Sequence, residues 1–347
     1  MANHITSIKV NDLYGSFSLE QVFSPGVNII YGPNGSGKTT LLHIIANALN
    51  GDFERFAFLQ FSTIRIELDD ASLKLHREKV RDEHSSSTAD TITVEFSNWQ
   101  EPLRLAVPDL EWPDTIAGAD NADIWHSGTN RPPRNHLLTT AYLPAYRNVL
   151  DAWKSNYLLK KGGKEYHVNI EEANGGATAF TRNWLGPFLP DVSVESLVEV
   201  EWRLEIASVN HESQALNQYL ESVNCFLNRK RVVVAESPFS LPIPPVQVTF
   251  EDGIPSRGLG SLSSGERQIA MILYAATQMK TDNVILIDEP ETSLNVDWQR
   301  QLLREMMRQV GGKQIIACTH SPVVAADYED QMMELGYSSA YDEEIPY

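Results

Sequence analysis

A chain of 347 residues with 42% apolar side chains, seven Trp and twelve Phe can bury a substantial core, which excludes global disorder. No uninterrupted apolar run approaches the ~20 residues of a spanning helix, and the start Met1-Ala2-Asn3-His4 lacks a secretory pattern, so a cytoplasmic protein with no membrane partner is expected. The formal net charge of −18 repels phosphate backbones over about one Debye length, ~8 Å at physiological salt, which disfavours nucleic acid as a partner.

In chain order, Ile5, Ile8, Val10, Phe17 and Leu19 mark an alternating apolar start. Val27-Asn28-Ile29-Ile30-Tyr31 then reads as a short apolar strand, followed by Gly32-Pro33-Asn34-Gly35-Ser36-Gly37-Lys38-Thr39-Thr40 and a helical run from Leu41 to Leu49. Strand, glycine loop and helix in this order are the context that a phosphate-binding G-x-x-x-x-G-K-[ST] loop requires. The glycines let backbone N–H groups wrap phosphate oxygens, and the helix adds its positive N-terminal end. Asn34, Gly35, Ser36, Gly37, Lys38, Thr39 and Thr40 are therefore expected to hold the phosphates of ATP, with Lys38 reaching the β- and γ-phosphates and the Thr39 hydroxyl ligating Mg²⁺.

Period-two patterning follows: Ile64, Ile66 and Leu68, then Ile92, Val94 and Phe96, then Leu103, Leu105 and Val107. These half-buried strands predict an antiparallel sheet beside the nucleotide site. His84-Ser85-Ser86-Ser87-Thr88 reads as a flexible loop, and Pro108 to His136, without any period, as a mobile or partner-facing segment. From about Val149 to Leu227 the pattern turns helical, with Leu216, Tyr219, Leu220, Val223, Phe226 and Leu227 on one face. Strands return at Val232-Val233-Val234 and at Val246, Val248 and Phe250. The two compact basic segments, Lys160-Lys161-Gly162-Gly163-Lys164 and Arg229-Lys230-Arg231, read either as solvated charges or as a local nucleic-acid patch.

Leu262-Ser263-Ser264-Gly265-Glu266-Arg267-Gln268 opens a helix to Met279, so that Ser263 and the Gly265 N–H form an anion site at its N-terminus. Because Lys38 already supplies one phosphate site, this second one is most simply explained if it covers the γ-phosphate held by another subunit. Val284-Ile285-Leu286-Ile287-Asp288-Glu289 is an apolar strand ending in two acids. Asp288 at its carboxyl edge is expected to hold Mg²⁺ through water, and Glu289 to polarise the attacking water as a base or by orientation. Cys225 and Cys318 are the only cysteines and form no CxxC pair, which suggests neither a zinc hook nor a disulfide framework.

The order of these motifs, continued by Ser293-Leu294-Asn295 and Thr319-His320-Ser321, resembles that of ABC ATPases. The resemblance implies that Ser263 and Gly265 close on a partner's nucleotide, that Ser293 to Asp297 cross the interface, and that His320 contacts the γ-phosphate. Glu289, His320 and Lys38 are thus the expected catalytic residues, Thr39 and Asp288 the metal residues, and a homo-oligomer with composite ATP sites the expected assembly. Within ABC ATPases the chain resembles the non-transporter branch of SMC, Rad50 and RecF. Glu289-Pro290-Glu291-Thr292-Ser293-Leu294-Asn295-Val296-Asp297-Trp298-Gln299 with Thr319-His320-Ser321-Pro322 is more similar still to overcoming-lysogenisation-defect and AAA-21-like ATPases. Many of these sit in bacterial anti-phage operons such as Septu, PARIS and retron systems.

Two departures refine the expectation. Lys38 and Asp288 are separated by 250 positions, more than a compact transporter ATPase needs, which implies an inserted lobe. There is also no clear Q-loop glutamine: the corresponding place reads Ala141-Tyr142-Leu143-Pro144-Ala145-Tyr146-Arg147-Asn148. The resemblance offers Arg147 as a phosphate contact or relay of lobe movement, with Gln60 as the fallback and a structural turn as the plain reading. The fold class expected is α/β, a P-loop NTPase core of ABC type with an antiparallel β lobe and an inserted helical lobe. Its divisions are residues 1–150, 151–240 (the helical insertion) and 241–347.

The insertion lacks the long heptad run of an SMC or Rad50 coiled coil. The 27 residues after His320 are too few for a fused nuclease, so an effector, a nuclease or toxin encoded nearby, is expected to be a separate polypeptide. The leading functional expectation is an ATP-dependent sensor or scaffold of anti-phage defence with slow turnover. A RecF-like repair ATPase clamping DNA is the alternative, and the acidity of the chain counts against it.

Overall fold

The computed structural model describes residues 4–81, 88–107, 138, 140–143, 156–161, 164–169, 197–209, 213–234, 246–253, 255–279 and 283–339. Two strands, β1 (Ile5–Leu13) and β2 (Phe17–Val22), open the chain as an antiparallel pair. Where β1 turns into β2, Asp12 near the end of β1 and Tyr14 in the turn both sit at φ 54°, a left-handed conformation uncommon for residues other than glycine. Strand β3 (Val27–Tyr31) is buried at its first four positions, then leads through the glycine loop into helix α1 (Lys38–Asn50). Gly51 ends α1 in the left-handed conformation, with its N–H returned to Ala48 O.

Four strands follow: β4 (Thr63–Leu68), β5 (Ser72–Arg81), β6 (Thr88–Phe96) and β7 (Leu103–Val107). With β1, β2 and the late β17 (Tyr337–Ser339) they make an antiparallel sheet in the order β17-β2-β1-β4-β5-β6-β7. The alternation of Ile64, Ile66 and Leu68 with polar residues is what puts one face of β4 into the core. After β8 (Thr140–Leu143), β9 (Asn156–Lys161) and β10 (Lys164–Asn169) pair as an antiparallel hairpin. This corrects the helical reading at residues 156–161 and 164–169. Local alternation flanking a Gly-Gly pair is a hairpin signal, and helical periodicity is confined to later residues.

Helices α2 (Leu197–Val209) and α3 (Ser213–Asn224) come next, then a small antiparallel sheet of β11 (Lys230–Val234), β12 (Val246–Phe250) and β13 (Pro255–Arg257). The pair β11–β12 spans residue 240. The chain then runs through α4 (Ser264–Ala276), β14 (Val284–Asp288), α5 (Val296–Met307), β15 (Gln314–Thr319) and β16 (Met332–Glu334). The resulting molecule is an α/β P-loop core of ABC type carrying an antiparallel β lobe and a helical lobe. Pro108 to His136 lies outside the described residues, as does most of the His84 to Thr88 loop. Among the described residues no helix is long and apolar enough to cross a membrane.

The parallel sheet positions the site. Its order is β16-β3-β15-β14-β8, with Thr319 beside Tyr31 and Cys318 beside Asp288. The segments that follow β3, β14 and β15 therefore leave the sheet at one edge, the place where open parallel sheets bind ligands. These strands read as continuous apolar runs because both faces are covered. On β14, Ile285 and Ile287 face the core built with α2, α3, α4 and α5, while Val284 and Leu286 face the core built with α1 and the antiparallel lobe.

Candidate functional site

The glycine loop leaves β3 and bends back toward its own carbonyls. Gly35 and Gly37 sit at φ 81° and 91°, a region strained for any L side chain, so glycine is required by conformation although space around both is open. Lys38 is buried, and its Nζ donates to Gly32 O and Pro33 O, each at 2.9 Å, so the ammonium caps the hollow of the loop. Asn34 stands exposed at the tip. The Ser36 hydroxyl is buried with no hydrogen-bond partner. No side chain caps the first turn of α1, whose N–H groups point out of the helix N-terminus.

At the sheet edge Thr39 Oγ1 donates to Asp288 Oδ2 at 2.9 Å. The next residue, Thr40, has its hydroxyl 3.3 Å from the Tyr14 hydroxyl, which brings the turn between β1 and β2 over the start of α1. Gln60 serves that same turn: its carbonyl accepts from Tyr14 N at 2.9 Å, and its amide lies against Gly15. Arg147 lies outside the described residues.

Glu289 follows Asp288 with φ 45°, held there by its own N–H to Cys318 O at 2.8 Å. A non-glycine residue in this region is strained, and such strain gathers at functional sites. Its Oε1 lies 3.8 Å from His320 Nε2, and its Oε2 accepts from Thr292 Oγ1 at 3.3 Å. Both side chains remain part exposed, 33% for His320 and 40% for Glu289, and so stay open to a ligand. Beneath them Cys318 is fully buried, and burial followed by the charge of Asp288 pushes its thiol well above the usual range, so it remains a thiol.

The signature segment is built differently. Ser263 caps α4 in a reciprocal box: Ser263 N donates to Glu266 Oε2 at 2.7 Å, and Ser263 Oγ accepts from Glu266 N. Glu266 is also paired with Lys230 Nζ at 2.8 Å, both side chains being largely buried. Burial alone would raise the Glu266 carboxyl, but hydrogen bonds from Lys230 and Ser263 outweigh it and hold the group below its ordinary value. Gly265 is wedged against the turn after Glu289: a Cβ there would stand 3.1 Å from Ser293 O and 3.3 Å from the Trp298 ring. Gln268 Nε2 donates to Thr292 O at 2.6 Å. Signature helix and Glu289 turn are thus one packed unit.

The helical lobe rests on that unit. Tyr219 Oη of α3 donates to Ala270 O at 3.0 Å, and Glu201 of α2 accepts the N–H of Leu259 just before the signature. Phe226 meets Trp298 edge to face at 6.1 Å between ring centroids. Of the basic triad, Lys230 is spent on Glu266 and Arg229 pairs with exposed Glu251 at 2.8 Å, leaving Arg231 outward.

Lys38, Thr39, Asp288, Glu289 and His320 therefore meet at one edge, whereas Ser263 stands exposed at the N-cap of α4 and Gly265 is buried in its first turn. Sequence reasoning missed Tyr14, Gln268, Glu291, Thr292, Trp298 and Lys230. The third acid of Asp288-Glu289-Pro290-Glu291 was a visible signal; the others act through long-range packing. The loop fits a triphosphate: a buried hydroxyl without a partner among the described residues, two left-handed glycines and an ammonium held by two carbonyls of the loop itself. Among the described residues no group of three or more His, Cys, Asp or Glu side chains could hold a metal, so a Mg²⁺ here would rest on Thr39, Asp288 and oxygens of the nucleotide and water.

Comparison with known proteins accords with this. A family model described as "AAA domain, putative AbiEii toxin, Type IV TA system" matches residues 205–327, and another described as "AAA domain" matches residues 14–117. The chain is similar to the petrobactin import ATP-binding protein FpuC of Bacillus anthracis, 38% identical over 93 residues, which are 26% of this chain and 33% of that protein. It thus spans about a third of that relative's length. It is also similar to the DNA replication and repair protein RecF of Shewanella baltica, 22% identical over 365 residues, covering 93% of this chain and 94% of that one. Among solved structures, the SMC head bound to the C-winged helix domain of ScpA has a TM-score of 0.47 at 12% identity, covering 97% of this chain and 98% of that chain. AAA-domain sequence thus lies on both sides of the middle segment, and the loop geometry above is that of a phosphate-binding loop.

Proposed function

We propose that this ATPase is the cytoplasmic sensor or scaffold component of a bacterial anti-phage defence system, and that it controls a separate effector by ATP-dependent pairing with a second copy. The observation that supports the ATPase chemistry is the convergence of Lys38, Thr39, Asp288, Glu289 and His320 on one sheet edge. Lys38 and the loop N–H groups bind the triphosphate, Glu289 takes or orients the proton of the attacking water, and His320 steadies Glu289 and the γ-phosphate. A bound Mg²⁺ supplies charge neutralisation on the phosphates.

The pairing reading is supported by the exposed Ser263 and by the Gly265 N–H at a helix N-terminus, a second anion site in a chain that already has one. ATP then acts as the bridge between copies, and hydrolysis resets the pair. The defence reading draws support from the family model at residues 205–327, whose description names a toxin–antitoxin system, and from Glu289 to Gln299 with Thr319 to Pro322. The test is purification of the Glu289→Gln variant from its host with Mg-ATP. A stoichiometric nuclease or toxin that leaves with the protein is the expected result. If deleting the gene leaves phage resistance unchanged, the defence role is wrong.

The similarity to RecF over most of the chain favours DNA repair as the second reading. It requires ATP-dependent, salt-sensitive DNA binding that falls when Arg229, Lys230 and Arg231 become alanine. The pairing of Lys230 with Glu266 removes the central charge of that patch. Absence of DNA binding at low salt would reject it.

A further inference from the structure

We infer that Glu291 is a positioning residue for His320, a role that rests on the ATPase reading above. Glu291 Oε1 accepts two consecutive backbone donors, His320 N at 2.7 Å and Ser321 N at 3.1 Å. One carboxylate oxygen therefore fixes the peptide plane at the point where the chain leaves β15, and with it the direction of the imidazole. The same turn is closed on its other side by Ser321 N to Thr319 Oγ1 at 2.9 Å and by Ser321 Oγ to Gln299 Oε1 of α5 at 2.8 Å.

Glu291 Oε2 is buried with no hydrogen-bond partner among the described residues. A carboxylate oxygen stripped of water without a partner is unfavourable, and a simple turn cap would leave it in solvent. What the burial secures is geometry. Glu291 belongs to the turn that begins at Glu289, where Thr292 N donates to Glu289 O at 3.1 Å. The acid expected to handle the water and the clamp on the histidine are thus carried by one turn, and Glu289 Oε1 and His320 Nε2 are kept 3.8 Å apart as a unit. A shift of the turn after Glu289, which also receives Gln268 from the signature helix, carries His320 with it.

The experiment is a double-mutant cycle on the full chain: wild type, Glu291→Ala, His320→Ala and the double variant, each assayed for ATP hydrolysis and melting temperature. Glu291→Gln keeps an acceptor oxygen and serves as the conservative variant. Expected are a loss of about tenfold or more in kcat for Glu291→Ala with KM within about threefold, and a double variant no slower than His320→Ala within about twofold. Glu291→Gln should stay within about threefold of wild type in kcat, since its amide oxygen can accept both N–H groups. Multiplying losses in the double variant, or a Gln variant as slow as the Ala variant, overturns the role. If Glu291→Ala does not fold, Glu291→Asp, too short to reach both donors, takes its place in the cycle with the same criteria. A wild type that releases no more phosphate than Lys38→Ala overturns the ATPase reading and this role together; an active wild type with multiplying losses overturns this role alone.

Discussion

Thr39 and Asp288 stand 249 positions apart in the chain and share a hydrogen bond of 2.9 Å. The hydroxyl expected to ligate the cation thus already faces the carboxylate that would hold its water. Asp288→Asn keeps the shape and an acceptor but removes the charge. ATP affinity in Mg²⁺ is expected to fall by roughly tenfold or more, while affinity in EDTA changes by less than about threefold. Titration calorimetry in the two buffers checks this; equal losses in both would mean that Asp288 supports the fold and not the cation.

Glu289→Gln should reduce hydrolysis by about a hundredfold or more while leaving nucleotide binding intact, the range that removal of a general base produces. With the reset blocked, light scattering on a sizing column should show the mass double on addition of Mg-ATP. An unchanged monomer mass would contradict ATP-driven pairing.

Gly265→Ala tests the packing of the signature. The added methyl would stand 3.1 Å from Ser293 O and 3.3 Å from the Trp298 ring, tighter than ordinary contact, so the signature or the turn must shift. ATP binding at the glycine loop is expected to survive in this variant. In the Glu289→Gln background the mass increase on Mg-ATP should be lost.

His43 gives a pH signature of stability. It lies on α1 with Nε2 2.8 Å from the Tyr142 hydroxyl, and burial, aided by nearby Arg55, lowers its pKa to about 4. The unfolded chain takes up the proton near pH 6.5 and the folded one only near 4, so the contribution is full above 6.5 and lost as pH falls toward 4. By pH 5 the loss is about 2 kcal/mol. Urea unfolding at pH 7 and pH 5 should show this difference in wild type and a smaller one in His43→Gln; parallel behaviour of the two would mean that His43 titrates normally.

What was legible in the sequence was whatever depends on neighbours in the chain. The glycine loop, the apolar run into Asp288-Glu289 and the Ser263 cap with Glu266 three residues on are local patterns with local physical causes. The alternation of Ile64, Ile66 and Leu68 likewise announced a strand with one buried face. The order of the parallel strands was not legible, because β3, β14 and β15 are equally apolar and nothing in their composition says which pairs with which. The ion pair of Lys230 with Glu266 was hidden for the same reason: a charge triad looks solvated until the fold buries its middle member. Glu291 was quoted as part of a motif, yet its two backbone donors come from 29 and 30 positions away. The hairpin of β9 and β10 is hidden in the sequence by the stronger helical periodicity of the residues that follow it.

The sheet order has a consequence for synthesis. Strand β3, which presents the glycine loop, takes both of its partners, β15 and β16, from the last part of the chain. While the ribosome is still making the middle of the protein, that strand has no sheet to join, and the loop has no fixed frame. The antiparallel lobe can assemble early from β1, β2 and β4 to β7, but the parallel sheet must wait for contacts of very long sequence separation, which form slowly. A nascent or truncated chain ending before Gln314 would carry every residue of the glycine loop and still be unable to grip ATP. The nucleotide site is then expected to take shape only after β15 and β16 have joined β3 in the sheet.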